Sequence, residues 1–216
     1  MLDKIDIYDV VTSLLHGTLF LVAGCVLFPQ SMKVISPLEM SEVVSSIAFI
    51  SIAYFTGQVI TSVSSLIQPF LFWIWGGMPS NVVFKGKIPN KYIPYDMVEL
   101  ARIALQKTSP MPLSDAAIFS KAMGIARKAD GSLSERHNRM YAYNRITFCN
   151  LALILGMFAL SCFWGECKSF SYKQIAGVTI VFILLLLLHC YRAKQRAFYY
   201  VREVLIVAER ELLGGK

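Results

Sequence analysis

His16, Asn150 and His189, together with Gln58, are polar side chains placed within or at the edge of long apolar stretches. The two histidines are the ones among them that could hold or pass a proton. An ionisable residue inside a membrane is costly, so its first reading is functional, here a proton or pH sensor. The plainer reading is a neutral imidazole at the interface, bonded to backbone or water. It suits both histidines, because neither has an acidic partner within its own stretch. No Asp, Glu, Lys or Arg lies inside any of the apolar stretches. Secondary transporters and ion pumps usually need one, which weighs against transport chemistry.

The hydrophilic part of the chain offers little more. Asp96, Glu99, Asp115, Asp130, Glu135 and His137 fall in one segment but without catalytic spacing, and there is no P-loop, G-x-S-x-G or H-E-x-x-H pattern. Carboxylates scattered on basic amphipathic helices read as a solvated face. A segment of about 70 residues is too small to enclose a dedicated active site, so no enzyme and no cofactor are expected. The five cysteines form no C-x-x-C or Cys/His pair at metal spacing. Cys25, Cys149 and Cys190 read as small apolar residues of spans. Cys162 and Cys167 read as two thiols near the outer face, where a periplasm would also permit a disulfide. Leu21 to Cys25 matches a lipobox, whose cysteine would be acylated. The acidic start (Asp3, Asp6, Asp9) and the apolar Val26, Leu27 and Phe28 that follow argue against that processing.

The elements that carry these groups are four uncharged runs: Val10 to Met32 (23 residues), Val43 to Phe84 (42), Ile146 to Gly165 (20) and Gln174 to Tyr191 (18). A helix of about 20 apolar residues spans ~30 Å of hydrocarbon, so four crossings are allowed. With four crossings, 18 of the 21 Lys and Arg residues share one side with both termini. The positive-inside rule makes that side cytoplasmic. The expected fold class is therefore an all-α polytopic membrane protein with four transmembrane helices, a small helical cytoplasmic insert and a C-terminal cytoplasmic helix. Its parts are a first transmembrane hairpin (1–76), the insert (77–145), a second hairpin (146–191) and the C-terminal helix (192–216). The 56% hydrophobic content agrees, since a soluble chain would expose too much apolar surface. The net charge of +7 then describes cytoplasmic flanks. An anionic inner leaflet accounts for them, although a basic surface could also meet nucleic acid.

Pro69 and the cluster Trp73, Trp75, Gly76, Gly77 and Pro79 predict that the second span ends near Leu66 and gives way to an interfacial stretch. In the insert, apolar spacing predicts helices over 95–107 and 114–129, the second capped by Ser114. Ser132 to Glu135 forms a capping-box pattern. It starts a helix expected to run unbroken to about Trp164, coupling the insert to the third span. After the fourth span, Phe198, Val201, Leu205, Ala208 and Leu212 alternate at three and four. That is a short a/d seam for packing on the insert helices or on a neighbouring subunit.

Ala53, Gly57, Thr61 and Ser65 fall four apart, a row of small side chains that lets helices approach closely. Gln58 lies on an adjoining face and should meet protein or water. The row serves equally for packing within one chain or between subunits. Arg136, Arg139, Arg145, Arg192, Arg196 and Arg202 flank the spans as candidates for binding lipid headgroups or a cytoplasmic partner.

The stretch Asp6 to Phe28 with its "LLHG", the "IAYFTGQVITSVSSLI" second span, the "WGGMPS" exit and the "ERHNRMYAYNR" entry to the third span resemble four-span bacterial membrane proteins of anti-phage defence loci. Among these are the membrane component of Kiwa-type systems and retron-associated membrane effectors. The resemblance implies an inner-membrane homo-oligomer in antiviral defence. Such a protein would sense a membrane event and hold or release a soluble cytoplasmic protein. The alternative it allows is a membrane-perturbing effector, with Thr56, Gln58, Thr61, Ser62 and Ser65 lining a narrow path.

Overall fold

The structure is a computed structural model and describes residues 7–29, 41–86, 92–109, 111–129, 132–164 and 170–214. The regular structure among them is helical: α1 (Ile7–Leu27), α2 (Glu42–Ile74), α3 (Pro79–Phe84), α4 (Tyr95–Lys107), α5 (Asp115–Lys128), α6 (Ser132–Phe163) and α7 (Tyr172–Leu213). Four of these helices, α1, α2, α6 and α7, are long and apolar enough to cross a membrane. The protein is all-α, with the architecture of a multi-pass membrane protein. Cys167 and the Ser132 side chain of the capping pattern lie outside the described residues.

The chain divides into two compact units, each built from two separate stretches. One takes Met1–Ile67 and Arg145–Cys190, the other Gln68–Asn144 and Tyr191–Lys216. Helices α2, α6 and α7 each supply residues to both.

Helix α2 does not stop near Leu66 but continues to Ile74 with Pro69 inside it. A proline has no N–H, so the carbonyl of Ser65 loses the donor it would have had four residues on. The exposed ring of Pro69 and the burial of Leu71 (0% exposed) and Trp75 (6%) on the opposite face explain the continuation. Packing past the proline outweighs one missing bond. Trp73 is exposed and stacks on Phe70, whereas Trp75 turns inward, edge-on to Tyr141. Helix α3 lies where an irregular stretch was expected. Pro79 opens it with a backbone angle already set for a helix, and Val82, Val83 and Phe84 are buried.

The core of the second unit gathers apolar residues of α3, α4, α5 and the C-terminal half of α7. Phe198 and Leu205 of α7 are among its most deeply buried side chains, and Tyr92 stacks flat on Phe198 at 5.4 Å. The helix ends are tied by side chains. Ser114 caps α5 by accepting from the Ala117 amide at 3.4 Å. Lys121 places its ammonium on the carbonyls of Leu105 (3.3 Å) and Thr108 (3.0 Å), the negative end of α4. Arg102 joins three helices: one nitrogen donates to the Phe84 carbonyl and to Asp115, each at 3.0 Å, and the guanidinium lies over the Phe84 ring.

Replacing Arg102 with Met keeps an apolar stem over Phe84 but strands both acceptors. The Arg102–Asp115 pair is partly exposed, which places the expected loss at the low end for charged hydrogen bonds, about 1 kcal/mol. A lowered unfolding temperature in mild detergent checks it, and an unchanged one would show that Arg102 does not hold α3, α4 and α5 together.

Candidate functional site

In the first unit, α1 and α2 meet backbone to backbone. A Cβ on Gly17 would land on the carbonyl of Ala53 and 2.7 Å from the Gly57 nitrogen. One on Gly57 would land on the carbonyl of Ser13 and 2.8 Å from its Cα. Only glycine permits such an approach, and in lipid the gain comes from close van der Waals contact. Ala53 and Gly57 are buried at this crossing, and Gln58 reaches across it to donate to the Ser13 hydroxyl at 3.0 Å.

The rest of the small-residue row turns away. Each step of four residues rotates about 40° around a helix of 3.6 residues per turn, so a strict four-residue row leaves the face it starts on. Thr61 is half-buried and Ser65 exposed, while Ile60 and Ser64 occupy the buried face. The hydroxyls of Thr61, Ser62 and Ser65 donate to the carbonyls of Gly57, Gln58 and Thr61, at 2.9, 3.0 and 3.2 Å. Ser65 also accepts from Arg145 at 3.2 Å. These hydroxyls serve their own helix and one arginine.

His16 ties α1 to α6. It is 2% exposed. Its Nδ1 lies 2.7 Å from the Thr12 carbonyl, which can only accept, so Nδ1 carries the proton. Its Nε2 lies 2.9 Å from the Thr147 hydroxyl, a group that can donate or accept. Asn150, fully buried, donates to the His16 carbonyl at 3.0 Å, and its own Oδ1 has no hydrogen-bond partner among the described residues. Cys149 and Ile146 bury beside Ile60, with Phe20 packed against them. His189 is half-buried on α7.

In the second unit the a/d seam of α7 is core. Phe198, Val201, Leu205 and Ala208 bury with the insert helices, and Leu212 packs partly buried against them. Around the seam, Arg196 donates to Nδ1 of His137 at 3.3 Å. Arg202 lies over the Tyr199 ring and pairs at 3.3 Å with Glu203, itself only 8% exposed. Loss of solvent, and then the Arg196 charge, hold the His137 imidazole below its usual pKa. Arg196 and Arg202 join the His137 cluster, Arg145 bonds Ser65, Arg139 pairs loosely with Glu135 at 3.9 Å, and Arg136 and Arg192 are exposed.

Sequence reasoning overlooked Ser13, Gly17 and Thr147. A signal existed for the first two, which are themselves spaced four apart on α1. No family model matches the chain, and neither does any curated protein or solved structure.

Gly57→Leu is expected to prevent closure of α1 on α2 and abolish the yield of monodisperse protein. Thr61→Leu is expected to change stability by under about 1 kcal/mol, because its side chain is only half-buried and off the crossing. Equal effects would contradict the crossing. For His137, the unfolded chain takes up the proton more readily than the folded one. The stability contributed by the neutral ring is present above about pH 6.5 and is lost as pH falls below it. The unfolding temperature should drop from about pH 7 to 5, and His137→Gln, which can still accept from Arg196, should flatten that part of the profile.

Proposed function

We propose that the chain is a non-enzymatic, oligomeric inner-membrane subunit that senses a membrane event and recruits or releases a cytoplasmic protein. The anti-phage role comes from the resemblance of its spans and their flanks. The observation that carries the reading is α6. One unbroken helix bears Thr147 and Asn150, which fasten to α1, and His137, which meets Arg196 of α7. A disturbance that shifts α6 against α1 changes the second unit through the same helix.

The buried part of the small-residue row is spent on α1 within the chain. Assembly between copies is therefore assigned to other surface. The span portion of α7 buries none of its residues fully, and Leu184 and Leu187 stand 60% and 62% exposed. That face is available to lipid or to a second copy.

The test is purification from the native host in mild detergent, with mass photometry for the assembly and mass spectrometry for what accompanies it. The expected result is a defined oligomer carrying one soluble protein. An oligomer without a partner, joined to loss of membrane potential when the chain is expressed alone, would favour the membrane-perturbing effector instead. A monomer would sink both.

A further inference from the structure

Two cavities of the second unit share a wall. The larger, about 310 Å³, has Arg127 and Arg139 among its lining and Met123, Ala126 and Val204 as apolar residues. The smaller, about 120 Å³, is mostly apolar, with Phe72, Met78, Phe119 and Val201. Asn138 and Tyr200 line both. A cationic chamber thus adjoins an apolar one, with an amide and a phenol at the divide.

The charges favour an anion. Glu135 also lines the larger cavity and pairs with Arg139 at 3.9 Å, so the lining carries two guanidinium groups against one carboxylate. Arg127 lies close enough to act on the Tyr200 phenol, lowering a pKa that burial raises, so the hydroxyl keeps its proton. That hydroxyl donates to the sulfur of Met123 at 3.5 Å, a weak acceptor that a phosphate oxygen would outcompete.

The place favours a lipid. Asn138 and Arg139 precede Ile146, where the uncharged run begins, by about 10–12 Å of the same helix. An arginine there reaches headgroup phosphates, and its stem can lie along apolar surface. We propose that the second unit binds one anionic phospholipid, with its phosphate at Arg127 and Arg139 and the ester end of an acyl chain in the cavity lined by Phe72 and Met78. This does not rest on the sensing role. Capture of a soluble partner could fail while the lipid site stands.

Native mass spectrometry of the full chain in mild detergent tests it, titrated with phosphatidylglycerol, phosphatidylethanolamine or inorganic phosphate. One phosphatidylglycerol per chain should be retained over the zwitterionic lipid. Arg127→Gln with Arg139→Gln should weaken that binding roughly thirtyfold, from a factor of about five per basic residue near a membrane surface. Met78→Asp, at an exposed position where an aspartate can cap α3, should weaken it too without disturbing the fold. Arg136→Gln with Arg192→Gln, which removes two exposed charges outside both cavities, should leave it unchanged. The proposal fails if the two double variants weaken binding equally, which is attraction by net charge. It fails as well if Met78→Asp has no effect, or if millimolar phosphate displaces the lipid, because either result leaves a headgroup or free-phosphate site without a chain.

Discussion

Contact between the backbones of α1 and α2 is the constraint on which the first unit depends. In hydrocarbon no water drives apolar side chains together, so helices associate through close contact and shared hydrogen bonds. Gly17 and Gly57 provide the contact, and Gln58 with Ser13 provides a bond across it. Once α1 is set against α2, the face of α1 bearing His16 is presented to α6, where Thr147 and Asn150 complete its polar partners. Polar groups that would be expensive in lipid are thereby made the specification of which helices meet.

The second unit is held by different physics. Its core is apolar and is pinned at helix ends by charges, Arg102 at α3 and α5 and Lys121 at the end of α4, while Arg196 meets His137 between α7 and α6. Helix α7 shows the contrast along its own length. Its first half carries large apolar side chains that stay on the surface, and its second half supplies the most buried residues of the core. One helix thus obeys two solvents, its apolar face outward where lipid is the medium and inward where water is.

Much of this was legible in the residues. Uninterrupted apolar length identifies four spanning helices, and periodicity places α4, α5 and α6 within one or two residues. Proline was over-read. Pro69 marks a missing hydrogen bond, but the packing of Leu71 and Trp75 carries the helix through it. The row at Ala53, Gly57, Thr61 and Ser65 was legible as a set of small residues but not as a face, because helical rotation takes its last members out of the contact. Nor could it name Ser13 and Gly17 as its partners, since spacing describes one helix and a crossing needs two. The seam at Phe198, Val201, Leu205 and Ala208 was legible as buried, and left open what it is buried against.

The hydrogen bonds of His16 have a consequence for synthesis. Its partner Thr147 lies 131 residues further along the chain, and the donor to its carbonyl, Asn150, 134 residues further. At a ribosomal rate of about 5–20 residues per second, some 7–27 s pass between the emergence of His16 and that of Asn150. Throughout that interval the first span holds its imidazole against the Thr12 carbonyl of its own helix, before the Thr147 hydroxyl exists to meet it. The α6 side of the His16 site is thus completed only after about two-thirds of the protein has been made.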